Sequence, residues 1–280
     1  MKFDSNRAWL DAIAAVNANR QVLVPVAGVF FLLPTLLSTM FLTEVQTRML
    51  EAFGKPQVVE RMFVDNLGLF VGFGIGGLLV QCVGYLSVMA LLSDRGRPTV
   101  GEAIVAALKA LPTLVATMLL TMLGMFLASM AIGVVLGGLL GLIAGTGVAT
   151  VVTMVALLVG VVYVWVKLSL VVPTVVNERI GNPVTAMVRS WRLTRHNSLR
   201  LFGFYLMLAI GYVAVAFVVT LALIGPVALL AGQGQALTLF TGVVSGAIGA
   251  VSSVILIAVL AYTHRQLAGP SPEEISHTFE

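Results

Sequence analysis

Few residues of this chain could do chemistry inside an apolar segment, and Lys167 is the most conspicuous of them. It stands in the apolar stretch 148–174, with Tyr163 and Trp165 close by in sequence. A charge in apolar surroundings is costly and is often functional. A lysine beside aromatic residues can also extend its ammonium group to a polar interface. Two interpretations therefore stay open, a group that acts on a substrate and a simple anchor. Gln81 is a second polar candidate of the same kind.

The residue types that usually carry catalysis are scattered. His196, His264 and His277 are far apart in sequence, and no pair of acidic residues lies within an apolar stretch. Proton-coupled transporters and proteases that act within membranes usually need such groups. No metal-ligand spacing, nucleophile elbow or phosphate-binding loop is present. The sequence therefore predicts a protein that is not an enzyme and that has no metal site and no cofactor.

Basic and aromatic residues gather in the amphipathic segment 183–197. At 100° per residue Val184, Met187, Val188 and Trp191 share one stripe, and Arg195 falls in line with it. Such an arginine can lay its stem on acyl chains and present its guanidinium to a lipid phosphate. The alternative is plain anchoring to anionic headgroups without a chosen ligand. The residues predicted for a lipid-headgroup site are Arg20, Arg189, Trp191, Arg192 and Arg195.

Composition places these residues in a membrane protein. The chain of 280 residues is 59% hydrophobic and 10% charged, with a mean hydropathy of +1.04. Soluble domains carry about 25% charged residues, and a spanning helix needs about 20 apolar residues. The predicted fold class is an all-α polytopic transmembrane bundle of six helices. The predicted spans lie near 21–43, 67–92, 112–143, 148–174, 201–230 and 237–263.

The basic residues predict the orientation of the spans. Of the 16 lysines and arginines, Arg48, Lys55 and Arg61 fall on one side, and the others fall on the side that holds both termini. Because basic residues concentrate on the cytoplasmic side, both termini are predicted to be cytoplasmic. The basic residues therefore report topology, and no nucleic-acid partner is predicted.

Three cytoplasmic interfacial amphipathic helices are predicted, at 5–19, 99–110 and 183–197, each before an odd-numbered span. Ser5, Thr99 and Asn182 are suitable N-caps for them. This order predicts a threefold repeat of an interfacial helix and a transmembrane hairpin, although apolar helices also resemble one another by chance. Within a single integral membrane domain, 1–280, the predicted units are 5–95, 98–180 and 182–268, and a flexible tail follows at 269–280.

Four segments carry a family resemblance. They are 171–179 (VVPTVVNER), 183–186 (PVTA), 189–195 (RSWRLTR) and 261–265 (AYTHR). Together they resemble the signature of the YciC-like bacterial inner-membrane proteins and of the membrane domain fused to some glycerophosphodiester phosphodiesterases. In that family a proline-containing span end precedes a Ser-Trp-x-Leu-Thr segment, and glycine often stands where this chain has His196. The resemblance implies a multi-span fold in a bacterial inner membrane, and it carries over no hydrolase activity.

Small residues repeat every four positions in three of the predicted spans. This spacing lets helix backbones approach closely, and packing drives helix association in lipid. Packing within the chain is the favoured interpretation, and an oligomer formed through these faces is the other. The residues predicted to pack are Gly68, Gly72, Gly76, Gly133, Gly137, Gly141, Gly242 and Gly246.

The sequence as a whole favours a non-enzymatic inner-membrane protein that organises or regulates an envelope or lipid-related process. We expect it to bind anionic lipid at a collar formed by Trp191 to Arg195, and its partners to be membrane lipids and envelope proteins. The alternative is a transporter or channel for a lipid or a small solute, with Lys167 and Gln81 along its path.

Overall fold

A computed structural model of the chain describes residues 3–93, 98–231 and 234–269, and the described residues form helices without any strand. Six of the helices are long and apolar enough to cross a membrane. The predicted all-α fold class with six spanning helices is therefore confirmed. Arg95, Arg97, the centre of the turn between the last two spans and the predicted tail from 270 onward lie outside the described residues.

The helices are named here in chain order. Their bounds are α1 (Ser5–Ala18), α2 (Arg20–Glu51), α3 (Pro56–Asp65), α4 (Leu67–Leu91), α5 (Val100–Ala144), α6 (Thr146–Leu168), α7 (Val171–Asn177), α8 (Pro183–Thr194), α9 (Ser198–Leu230) and α10 (Gln235–Ala268). The spanning helices are α2, α4, α5, the pair α6 and α7, α9 and α10. Helices α1 and α8 correspond to the first and third predicted interfacial helices.

The second predicted interfacial helix, 99–110, is present only as the first three turns of α5. Its start is capped as predicted, because the Thr99 N–H donates to Glu102 Oε2 at 2.8 Å and the Glu102 N–H donates to Thr99 Oγ1 at 3.3 Å. The helix then continues through Pro112 without a break. At 45 residues, α5 is about 68 Å long at 1.5 Å per residue. It therefore extends well beyond a hydrocarbon core of about 30 Å.

Four π-helical turns interrupt the spanning helices, and two of them have an evident cause in a following proline. The turn Gly28–Leu32 precedes Pro34, and the turn Thr220–Ile224 precedes Pro226. Proline has no N–H for the carbonyl four residues back, and its ring clashes with that carbonyl in a regular helix. The wider turn relieves the clash. The other two turns, Gly72–Gly76 and Gly133–Gly137, begin and end at glycine.

The chain divides into two compact units. The first unit contains Lys109–Gly203 together with both chain ends, and the second contains Asn6–Leu108 and Phe204–Tyr262. This division runs across the boundaries of the three proposed repeat units, so the repeat stays a prediction. The functional candidates fall in both units, and the first unit holds most of them.

Glycines bring α2 against two other helices in the second unit. A Cβ placed on Gly246 would lie 3.3 Å from the Leu32 carbonyl oxygen, and one on Gly242 would lie 3.0 Å from Leu36 Cδ1. Helix α10 therefore packs on α2 through two of the predicted glycines. Gly84 of α4, which the four-residue pattern did not single out, makes a still closer contact with Phe30 of α2.

The other predicted glycines are less crowded. In the first unit, Gly137 and Gly141 face Thr153 and Ala149 of α6 at van der Waals distance. Four positions have nothing described within 4 Å of an added Cβ, and they are Gly68, Gly72, Gly76 and Gly133.

Candidate functional site

The candidate site is organised by a break between α6 and α7. Helix α6 ends at Leu168 and α7 begins at Val171. Pro173 explains this break, because it cannot donate to the Ser169 carbonyl and its ring clashes with that group in a regular helix. The fourth span is therefore interrupted near its end.

Helix α8 docks over this break through hydroxyl groups. Ser190 Oγ donates to the Lys167 carbonyl oxygen at 2.8 Å, and Thr194 Oγ1 lies 3.5 Å from the same oxygen. Both side chains are fully buried. Val171, Val175 and the α8 residue Ala186 form a small buried core alongside them. The position of α8 relative to Lys167 is thus fixed by hydrogen bonds as well as by packing.

Helix α8 is amphipathic, but its apolar face is not the face that it buries. The face packed against its own unit is made of small and hydroxyl-bearing residues, namely Ala186, Ser190 and Thr194. The apolar face is exposed instead, with Val184 at 55%, Val188 at 44% and Trp191 at 38% exposure. An amphipathic helix with an open apolar face and basic flanks is typical of a membrane interface.

The Lys167 side chain lies between two aromatic rings. Its Nζ is 5.5 Å from the centre of the Tyr163 ring and 5.4 Å from the centre of the Trp191 ring. The two rings meet edge to face, with centres 5.5 Å apart. Both distances fall within the range of a cation–π interaction. The structure thus joins Lys167 and Trp191, which are separate candidates in the sequence analysis.

The predicted arginines divide into different environments. Arg195, the residue after the end of α8, is exposed, and its neighbour Thr194 lies against the Lys167 carbonyl oxygen. Arg192 is also exposed, and neither arginine forms an ion pair with a described residue. Arg20, at the start of α2, and the half-buried Gln81 of α4 belong to the second unit. The structure therefore gathers Lys167, Trp191 and Arg195 and leaves Arg20 and Gln81 outside this group.

Arg189 has a different role from Arg192 and Arg195. Its Nε donates to both oxygens of Glu178, at 2.9 and 3.1 Å, and His264 Nε2 lies 2.9 Å from Glu178 Oε1. The His264 ring is almost completely buried. One carboxylate thus joins the end of α7, the middle of α8 and the end of α10. No three His, Cys, Asp or Glu side chains come together as a metal site would require within the described ranges.

This ionic cluster of Glu178, Arg189 and His264 was missed by reasoning from the sequence. Spacing along the chain cannot reveal it, because Glu178 is 86 positions from His264. One signal could have found it. All three residues lie in segments that carry the family resemblance.

The turn after α7 sets the position of the Glu178 carboxylate. Arg179 adopts a left-handed conformation with φ 53°, as the residue after a helix end often does. Ile180 then folds back onto the core beside Val175. Thr113 Oγ1 donates to the Gly181 carbonyl at 3.0 Å, and the Asn182 side chain caps α8 by accepting from the N–H groups of Val184 and Thr185.

The Glu178 carboxyl links the stability of the first unit to pH. Burial alone would raise its pKa, but hydrogen bonds from His264 and Arg189 outweigh burial and hold the pKa below its ordinary value. A carboxyl with a lowered folded-state pKa stabilises the fold above its unfolded pKa of about 4.3, and this contribution is lost as pH falls through the lower folded pKa.

We therefore expect the melting temperature in detergent to fall as the pH is lowered from 5 through 4 toward 3. The Glu178→Gln variant should show a shallower fall, because it has no proton to take up at this position. Thermal unfolding followed across that pH range would measure both slopes. Equal slopes for the two proteins would remove Glu178 from the explanation.

The fold and the site define a multi-pass α-helical membrane protein with a basic and aromatic cluster beside a broken span. Comparison with protein-family models, with curated proteins and with solved structures finds no match for this chain.

Proposed function

We propose that this chain is a non-enzymatic protein of a bacterial inner membrane, with both termini in the cytoplasm, which binds anionic lipid at its collar and so organises or regulates an envelope or lipid-related process. The observation that carries the proposal is the orientation of α8. This helix buries its hydroxyl-bearing face and leaves its apolar stripe open beside Arg192 and Arg195. The apolar stripe matches acyl chains, and the arginines match phosphate groups.

The depth of the site supports lipid contact over a role in transport. Lys167 lies about 32 Å along α6 from Thr146, at 1.5 Å per residue. The hydrocarbon core is about 30 Å thick. If Thr146 lies at one boundary of the core, Lys167 and the Trp191 ring beside it lie at the other, where lipid phosphates are found. This position suits a headgroup ligand better than a solute in the middle of a pathway.

The family resemblance also enters the proposal. The segments that carry it meet in the first unit, where Glu178 binds Arg189 and His264, and where Ser190 binds the Lys167 carbonyl. The residues of the family signature thus hold α8 in place. This is what we expect if proteins of that family keep this helix at the membrane surface. Membership of the YciC-like proteins is proposed on this ground.

Removing the two collar arginines should reduce the preference for anionic lipid. We expect the variant Arg192→Gln/Arg195→Gln to lose about fivefold per arginine in the enrichment of phosphatidylglycerol over phosphatidylcholine, since one basic residue near a membrane surface contributes about 1 kcal/mol. The measurement is mass spectrometry of the lipids retained by the purified protein after equilibration in mixed nanodiscs.

The matched control is Lys55→Gln/Arg61→Gln, which also removes two positive charges from exposed positions. These two positions are predicted to lie on the side of the membrane opposite to the collar. It should keep the lipid preference of the wild type. A wild-type protein that retains both lipids in proportion to their supply would overturn the proposed function, and so would equal losses in the two double variants.

A further inference from the structure

We propose that Lys167 and Arg195 form a specific binding site for one phosphate group, in which the Lys167 ammonium group is held between Tyr163 and Trp191 and donates to a phosphate oxygen. The proposal rests on the lipid binding proposed above and deepens it. It names the group that is recognised and adds Lys167, from the spanning helix, to the residues that recognise it.

The state of the Lys167 side chain is the first argument. The residue as a whole is only 3% exposed, so most of its stem is covered, while the ammonium group itself keeps access to solvent. An ammonium group has three N–H donors, and the ring faces of Tyr163 and Trp191 attract the charge without accepting a full hydrogen bond. No described residue gives this ammonium group a carboxylate or any other hydrogen-bond acceptor. A charge that is mostly covered by protein is normally paired, and the open side of the ammonium group lets an anion from outside the chain supply the partner that this lysine lacks.

The proximity of Arg195 is the second argument. Arg195 follows Thr194, whose Oγ1 lies 3.5 Å from the Lys167 carbonyl oxygen. Two neighbouring cations that no described carboxylate balances are unfavourable unless an anion lies near both. The Arg195 side chain is exposed. Its planar guanidinium group donates two parallel hydrogen bonds to phosphate oxygens, whereas lysine acts on phosphate as a point charge. The pair therefore has complementary roles around a single phosphate.

The rigidity of the surroundings is the third argument. The Ser190 hydrogen bond to the Lys167 carbonyl fixes α8 against the backbone of the residue that carries the ammonium group. The edge-to-face contact of Tyr163 with Trp191 then sets the second wall of the site. A site whose parts are positioned before the ligand arrives loses less entropy on binding. This arrangement differs from a flexible basic patch that attracts anionic headgroups in general.

The position of the site identifies the source of the phosphate. At the boundary of the hydrocarbon core the abundant phosphates belong to lipid headgroups. A site with two cations and no described carboxylate favours headgroups without an amine of their own, such as phosphatidic acid or phosphatidylglycerol. We therefore expect a lipid phosphate and not a free phosphate ion.

The test compares Lys167→Met with Lys109→Met in the full-length protein. Lys109 is exposed on α5 of the same unit and is predicted to lie on the same side of the membrane, so both variants lose one positive charge from that side. Native mass spectrometry from nanodiscs that contain phosphatidic acid in phosphatidylcholine would count the tightly held anionic lipids.

The wild type and Lys109→Met should each hold one such lipid. Lys167→Met should bind it about 10- to 100-fold more weakly, the range expected for the loss of charge-assisted hydrogen bonds. Arg195→Gln, at an exposed position, should weaken the same lipid without loss of fold. It serves as the second variant if Lys167→Met fails to fold. Lys167→Arg should restore part of the binding.

The outcomes separate this proposal from the one on which it rests. A wild-type protein without any anionic preference would overturn both. An anionic preference that Lys167→Met and Arg195→Gln reduce no more than Lys109→Met would leave the proposed function standing and overturn the phosphate site. Displacement of the lipid by millimolar inorganic phosphate would assign the site to the free ion and overturn the lipid as its ligand.

Discussion

Glu178→Gln is expected to lower the stability of the first unit by about 2–3 kcal/mol, since breaking a partly buried ion pair leaves its partner charge uncompensated. Two partners lose their charged acceptor at once, Arg189 and the almost completely buried His264. The Glu178 side chain is 23% exposed and that of Arg189 is 40% exposed. Solvent therefore offsets part of the loss, and the expected cost lies below that of a fully buried pair.

Thermal unfolding in detergent would measure this loss, and the chain offers a matched control. Glu44 pairs with Arg48 on one exposed face of α2, and Glu44→Gln should cost less than about 0.5 kcal/mol, as exposed pairs on helices do. A double-mutant cycle gives a sharper answer. Glu178→Gln combined with Arg189→Gln should cost clearly less than the two single changes together, because both remove one interaction. Additive costs, or similar small costs for Glu178→Gln and Glu44→Gln, would show that the cluster does not hold the unit together.

The ionic cluster also marks how far the sequence could predict the fold. The six spans followed from composition, because the thickness of a bilayer imposes a length rule on apolar stretches. The caps at Thr99 and Asn182 followed from local chemistry, since both side chains act within three residues of themselves. The continuity of α5 could not be predicted. Pro112 indicated a boundary between an interfacial helix and a span, but the helix continues through it, with apolar residues on both sides.

The candidate site was only partly predictable for a similar reason. Periodicity places Trp191 and Arg195 in line along 183–197, and both side chains are exposed in the structure. It gives no means of bringing Lys167 to Trp191, because the contact depends on the break before Pro173 and on the Ser190 hydrogen bond across it. Periodicity also could not show that Arg189 forms an ion pair whereas Arg192 and Arg195 do not. This difference depends on Glu178, because the left-handed turn at Arg179 brings α8 back to the Glu178 carboxylate.

The largest effect expected in the second unit is that of Gly84→Leu. A Cβ on Gly84 would lie 2.5 Å from Phe30 Cβ and 3.1 Å from the Phe31 ring. The Phe30 Cβ is fixed to the backbone of α2, so the clash cannot be relieved by a change of rotamer. Helices α2 and α4 would have to separate, and the edge-to-face contact of Phe31 with Tyr85 would be lost with them. We expect a loss of about 3 kcal/mol or more, the upper range for overpacking, measured as thermal unfolding in detergent.

Gly72→Leu is the matched control, because it adds the same side chain to the same helix. Gly72 and Gly76 are in register with Gly84, yet nothing described lies within 4 Å of an added Cβ at either. Helices α2 and α4 therefore approach most closely at Gly84, and the glycines toward the start of α4 present an open face. Gly72→Leu should leave the melting temperature within a few degrees of the wild type. A loss of stability as large as that of Gly84→Leu would contradict this assignment. The Gly72 face would then have to pack against something beyond the described chain, as it would in the oligomer that the glycine spacing also allows.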